Sequence, residues 1–415
     1  MNRRHFLGLS AMGSLGLSRR AFASNVPVGG RKIILVYNYG GWDPTRVFAA
    51  EFDNRAVDME RSAELAQVGS LHFVDHENRP SVREFFTRFG GDSVFLNGVL
   101  VPSVAHENCL KLSLTGTSAD GAADWPALIA GDRIQAHALP HIVVGGPSFP
   151  GDHGAAVTRA GASGQLEGLL SGDILDWSET TVRAPSAREE DVMDDYLARR
   201  AGAAVMGAGS DREAELLAGY ESSLERSRTL KGLLNVIEWN GGSDLAAQAG
   251  TAISALSMGL SRCATLNFSY HSWDTHALND LYQSNNFERL FSGLVDLMDS
   301  LHATPGTEGG SLAEETVVVV MSEMGRTPRL NEGEGKDHWP YTSLMMVGPG
   351  LTGGRVVGGF DDYYYGRTID MASAEVFDGG VELGCENVGA TLLKLCGVDP
   401  EEAHPGVATL DGILT

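Results

Sequence analysis

Apolar residues along this chain fall into short continuous runs, each closed by Gly, Pro or polar residues. Lys32-Ile33-Ile34-Leu35-Val36-Tyr37, Val94 to Leu100, His141-Ile142-Val143-Val144, Cys263 to Tyr270 and Val317-Val318-Val319-Val320-Met321 are such runs. Continuous rather than alternating hydrophobicity predicts strands covered on both faces, as in a parallel sheet. Between Ala184 and Leu260 the composition shifts to Ala, Glu, Arg and Leu with few β-branched residues. That stretch predicts a helical insertion packed on the sheet, broken at Gly241-Gly242-Ser243-Asp244. Phe287, Leu290, Phe291, Leu294 and Leu297 recur at the spacing of one core-facing helix stripe. The pattern predicts an α/β fold, a mostly parallel central sheet flanked by helices, in one domain over residues 30–415.

The start of the chain reads differently. Arg3-Arg4 precedes a Gly/Ser-diluted apolar stretch and then Ala21-Phe22-Ala23. This is the pattern of a twin-arginine export signal over residues 1–24, with a stretch too short and too polar for a stable membrane span. It predicts passage through the twin-arginine translocase and a periplasmic or secreted mature chain.

Charge narrows the partners. The 415 residues carry 31 Lys+Arg against 54 Asp+Glu, and the leader holds four Arg and no acid, so 27 basic residues face 54 acids after its removal, a net of −27. Such a surface repels phosphate backbones and anionic lipid, which argues against nucleic acid as a partner. Cys109, Cys263, Cys385 and Cys396 contain no C-x-x-C pair. Disulfides and buried free thiols both remain open for them.

In open α/β folds the carboxyl ends of the strands carry the site. Four strand exits here bear acids. Asp43 follows the first run, and His106, Glu107 and Ser103 follow the second. Asp274 and His276 follow the fourth, and Glu323 and Arg326 follow the fifth, with Asp337-His338-Trp339-Pro340 returning ten residues on. In an extended segment Asp274 and His276, two apart, face the same side. A carboxylate and an imidazole converging in this way suit Zn, Mn or Fe better than Mg or Ca. Two other patterns read as loops. Gly348-Pro349-Gly350-Leu351-Thr352-Gly353 matches G-x-G-x-x-G but is followed by glycines that cannot open the helix that motif needs, and Asp152-His153-Gly154 sits behind Pro147 and Pro150.

The leader, Ser272-Trp273-Asp274-Thr275-His276 and Ser322-Glu323-Met324-Gly325-Arg326-Thr327-Pro328 with its following Asp337-His338-Trp339-Pro340 together resemble the DUF1501 family of exported bacterial proteins. The resemblance implies an alkaline-phosphatase-like fold of the phosphatase and sulfatase superfamily. It also implies a divalent metal, Zn or Mn, on Asp43, Asp274, His276, Glu323 and His338. Where relatives carry an adjacent Asp-His pair, this chain reads Glu323-Met324. The place of the usual hydroxyl nucleophile, about ten residues before a Thr-Gly, falls on His106, with Ser103 three residues earlier.

Three readings follow from it. In one, a metal-dependent hydrolase cleaves a phosphate or sulfate ester, with His106 or Ser103 as nucleophile and Arg326 steadying the anionic group. In the second, one metal and His106 as general base act on a polysaccharide or its substituent. In the third, the chain is a non-catalytic binding or assembly protein of the periplasm. The substrate in the first two is a small-molecule or polysaccharide-linked ester.

Overall fold

A computed structural model of the chain describes residues 30–161, 166, 185–231, 244–268 and 270–415. The expected leader and the break at Gly241-Gly242-Ser243 lie outside the described residues. The strands are β1 (Lys32–Asn38), β2 (Glu64–Val68), β3 (Leu71–Asp75), β4 (Ser93–Leu100), β5 (His141–Val143), β6 (Val157–Arg159), β7 (Cys263–Asn267), β8 (Thr316–Ser322), β9 (Gly325–Arg326), β10 (His338–Trp339), β11 (Tyr341–Val347) and β12 (Arg355–Gly358). The helices used below are α1 (Pro80–Phe89), α2 (His106–Thr115), α3 (Trp125–Asp132), α4 (Ala187–Met206), α5 (Asp211–Lys231), α6 (Leu245–Ser257), α7 (Asn279–Ala303) and α8 (Cys385–Leu395).

Eight strands form one sheet in the order β12-β4-β11-β8-β1-β7-β5-β6. β1 runs parallel to both β7 and β8, and β11 runs antiparallel to β8 and β4. The sheet is therefore mostly parallel, with β11 reversed. Its centre is β8, whose seven residues are all buried. Alternate side chains of β1 and β8 enter opposite cores. Ile34, Val36, Val318 and Val320 pack with Phe85, Phe86, Leu256, Phe287 and Phe291 from α1, α6 and α7. Ile33, Leu35, Val317 and Val319 pack with Trp125, Ile129, Val388 and Leu392 from α3 and α8. Full burial of such a side chain contributes about 1.5–3 kcal/mol over exposure, so the two helical layers hold the strand ends in register.

Within 184–260 the described residues are mostly helical, as α4, α5 and α6, but only α6 reaches the sheet. α6 packs on β7 and α7. α4 and α5 pack on each other, and α5 meets the body at the short turn Gly151–Ala156, through Arg226 to the Ala155 carbonyl and Arg212 to Asp152. The expected packing on the sheet thus holds for α6 alone. Among the described residues no helix is long and apolar enough to cross a membrane. All four cysteines are free and buried, and burial pushes the Cys109 thiol up to about 11 and raises those of Cys263 and Cys385 further still.

His141 on β5 ties stability to pH. Its side chain is 0% exposed, with Nε2 2.8 Å from Thr265 Oγ1 and no partner at Nδ1. Burial, aided by the charge of Arg159, pushes its pKa from 6.5 down to about 3. The unfolded chain takes up this proton below about pH 6.5, while the native chain refuses it until about pH 3. Native stability therefore falls with falling pH in that window, by up to about 1.4 kcal/mol per unit, and recovers as pH rises. In His141→Gln, the difference in urea-unfolding free energy between about pH 7 and about pH 5 shrinks by about 2 kcal/mol. An unchanged difference contradicts this assignment.

Candidate metal centre

The site is built at the carboxyl edge where β1, β7 and β8 end. After β1 the chain turns through Gly40 and Gly41 at φ +125 and +77, left-handed values that favour glycine. A Cβ on Gly41 would lie 2.7 Å from Met324 Cγ. The turn is held by the carboxyl end of β8 and the residues just after it. Gly40 N donates to Glu323 Oε1 at 2.7 Å, and Ser322 Oγ accepts from Gly41 N and Trp42 N at 3.2 and 3.3 Å. Arg326 Nε donates to Gly41 O at 2.7 Å and Nη2 to Gly40 O. Met324, which stands where the resemblance led to expect an imidazole, is buried with Val101, Cys109, Leu112 and Cys385.

Asp274 and His276 converge, with Nε2 3.0 Å from Oδ1, while Thr275 Oγ1 turns away and donates to Asn279 Oδ1 at 2.6 Å. β9 and β10 pair antiparallel with His338 opposite Arg326, which brings the return loop to the same place. Gly335 lets that loop touch the β7 exit, since a Cβ there would lie 1.9 Å from the His276 carbonyl oxygen. From the β4 side, Ser103 Oγ accepts from Ala105 N at 3.2 Å just before α2 opens at His106.

Three imidazoles meet around Asp274. His276 Nε2 and His338 Nε2 lie 3.0 and 3.1 Å from Asp274 Oδ1 and 3.1 Å from each other. His106 Nε2 lies 3.4 Å from Asp274 Oδ2. The far nitrogen of each ring faces an acceptor. His106 Nδ1 is 2.9 Å from Glu323 Oε1, His276 Nδ1 is 2.7 Å from Asp337 Oδ1, and His338 Nδ1 is 2.7 Å from the Val104 carbonyl. A neutral imidazole that donates from Nδ1 presents Nε2 as a lone pair, the orientation that metal-ligating histidines take from their outer partners. Lone pairs and a carboxylate oxygen this close repel unless a cation or a proton lies among them.

The donor set fits such an ion. Ligands about 2.0–2.2 Å from a tetrahedral ion stand about 3.3–3.5 Å apart, and neighbours around an octahedral one stand about 3 Å apart. The observed 3.0 to 3.4 Å spans both. Among the described residues, ligand atoms of His106, Asp274 and His338 all lie within 4.8 Å of one another. The cluster opens on one side, with Asp274, His106 and His338 exposed by 34, 19 and 22% and His276 by 47%.

Electrostatics keep Asp274 ionised. Burial raises its pKa, but the Arg326 hydrogen bond and charge, with His338 and His276, outweigh that and hold it at about 2. The hydrogen bond to Glu323 raises the pKa of His106 above its usual value. Arg326 is 0% exposed, and besides the two glycine carbonyls it donates to the Lys336 carbonyl at 3.2 Å and to Asp274 Oδ1 at 2.6 Å.

The structure thus brings together Asp274, His276, His338 and His106, with Glu323 and Arg326 behind them. Asp43 is placed otherwise. It is 0% exposed, and its Oδ2 lies 2.9 Å from both Lys336 Nζ and Asn279 Nδ2. Ser103 Oγ serves the backbone before α2. The roles of Lys336, the Val104 carbonyl and Tyr39, whose ring lies 5.4 Å from that of His106, escaped the sequence reading. Asp337 was visible in the D-H-W-P motif, and Lys336 stands next to it.

No curated protein matches the chain. Several solved structures are similar to it at low identity. One is a protein in the alkaline phosphatase superfamily from Vibrio parahaemolyticus, with 12% identity and TM-score 0.39, over 99% of this chain and 78% of that one. Another comes from the metabolism of glycosaminoglycans by Bacteroides thetaiotaomicron, with 10% identity and TM-score 0.39, over 89% and 73%. A third is a phosphonate monoester hydrolase from Silicibacter pomeroyi, with 11% identity and TM-score 0.36, over 92% and 77%. Over residues 241–411, which carry Asp274, His276, Glu323, Arg326 and His338, the chain matches the model of the DUF1501 family, described as a protein of unknown function.

Proposed function

We propose that this chain is a metal-dependent hydrolase of phosphate or sulfate esters, and that it works outside the cytoplasm after twin-arginine export. The observation that carries the metal is the set of three imidazoles that turn Nε2 toward Asp274 while each Nδ1 faces an acceptor. His106, Asp274, His276 and His338 would hold the ion, and nitrogen-rich donors of this kind favour Zn or Mn over Mg or Ca. When bound, a divalent ion there supplies Lewis acidity to the ester and lowers the pKa of water. The ester class comes from the resemblance of the motifs.

The remaining residues act through position. Glu323, Asp337 and the Val104 carbonyl fix the three rings, and Arg326 fixes Asp274 without facing solvent. His106 is a ligand in this reading and Ser103 is held by backbone, so water is the attacking group. Its oxygen bonds to phosphorus or sulfur as the ester P–O or S–O bond breaks. Tyr39 is 47% exposed beside His106, and burial together with Glu323, Glu107 and Asp274 raises its pKa. In this reading it gives its proton to the departing oxygen and is reprotonated from solvent, while the attacking water loses its own proton to solvent.

Chelator treatment followed by a panel of aryl phosphate, phosphonate and sulfate esters tests this reading. We expect turnover that chelation removes and Zn²⁺ or Mn²⁺ restores in the wild type but not in His338→Ala. Turnover indifferent to chelation, or none across the panel in metal-loaded protein, contradicts it.

A further inference from the structure

Two residues before His338 the chain buries a lysine. Lys336 is 0% exposed, with Nζ 2.9 Å from Asp43 Oδ2 and 3.3 Å from Thr45 Oγ1. The same Oδ2 receives Asn279 Nδ2 at 2.9 Å and has Arg46 Nη2 at 3.4 Å. Asp43 Oδ1 accepts from Thr45 N at 3.1 Å and Thr45 Oγ1 at 2.7 Å. A carboxylate offers about four lone-pair directions, and five donors surround this one. No direction is left for a metal.

Burying an ammonium and a carboxylate together is seldom the most stable choice for a core, since apolar residues of equal volume often do as well or better. What the pair provides is a positive charge against two oxygens, Asp43 Oδ2 and Thr45 Oγ1, the donor type a hard cation takes. Its backbone ties that charge to the site, because Lys336 N donates to Thr275 O at 3.0 Å and Lys336 O accepts from Arg326 at 3.2 Å.

We infer that the Lys336 ammonium fills a second cation seat at the β1 exit, so that the centre takes one divalent ion rather than two and Asp43 is a positioning residue, not a ligand. The inference rests on the metal-centre reading above. Its consequence is that the charge opposite Asp43 belongs to the chain and survives loss of the metal.

Stoichiometry tests it without any activity assay. Chelator-stripped protein is titrated with Mn²⁺, which both nitrogen-rich and oxygen seats accept, and bound metal is counted by elemental analysis. Wild type takes one equivalent, and Asp43→Asn keeps it with affinity within about threefold, since no ligand is lost. Lys336→Ser, which leaves the carboxylate and room beside it, takes a second equivalent that Asp43→Asn/Lys336→Ser does not. Two equivalents in wild type, affinity weakened more than about tenfold in Asp43→Asn, or a single equivalent in folded Lys336→Ser would each overturn the inference. Should Lys336→Ser not fold, wild type and Asp43→Asn decide. A wild type that takes no metal at all contradicts the metal-centre reading itself, and that result is distinct from a count of two.

Discussion

Asp274→Asn lowers ester turnover by at least about a thousandfold, because the residue touches every part of the centre. Its Oδ1 lies within 3.1 Å of two imidazole nitrogens and 2.6 Å from Arg326 Nη2, and its Oδ2 faces the third imidazole. An amide offers a neutral oxygen and an N–H in place of the negative charge, so ion and rings lose their common counter-charge. In the proposed hydrolase several kcal/mol of transition-state stabilisation would depend on that ion, and each 1.36 kcal/mol is about tenfold in rate. The fold remains, since Asp274 is partly exposed and its elements are held by the two cores. Turnover alongside near-ultraviolet circular dichroism checks both halves. Turnover within about tenfold of wild type removes Asp274 from the chemistry.

Arg326→Ala does the reverse and acts first on stability. The guanidinium closes the carbonyls of Gly40, Gly41 and Lys336 and the carboxylate of Asp274 from a position with no exposure. Its removal leaves three backbone acceptors and an acid without their donor, in a place where β1, β8 and the return loop meet. Losing one partner of such a buried set costs about 3–5 kcal/mol. Arg326→Lys recovers little, because one ammonium cannot reproduce the planar fork that reaches four oxygens. The urea midpoint reads this directly. Lost turnover at an unchanged midpoint instead gives Arg326 the direct role with the anionic group that its motif suggested.

Much of the scaffold was legible because local sequence decides it. Val317 to Val320 can only be a covered strand, and the apolar stripe from Phe287 to Leu297 packs as α7 with all five residues buried. Asp274 and His276 do converge, as their spacing of two led to expect, and His338 was marked by its motif. What escaped lacks a local signal. The β2–β3 hairpin has an exposed, weakly alternating first strand, and β12 follows a Gly-rich stretch that reads as turn. α4 and α5 have helical composition that says nothing of what they pack on.

The partners of the acids are set by chain crossings, which no spacing reveals. Asp43 stands at a strand exit like Asp274, and from sequence the two look alike. Lys336 and Asn279, which hold Asp43, come from 293 and 236 residues further on. Glu323 lies 217 residues from the His106 ring it orients. Ser103 had the right residue type near the right place, yet a two-residue turn to Ala105 N uses its oxygen.

The most direct measurement is the metal content of mature protein purified without chelators, beside Asp274→Ala/His276→Ala prepared in the same way. The account predicts one equivalent of a transition metal in the wild type and none in the folded double variant. Both proteins empty, or both equally loaded, would contradict the claim that these imidazoles and Asp274 form a metal centre.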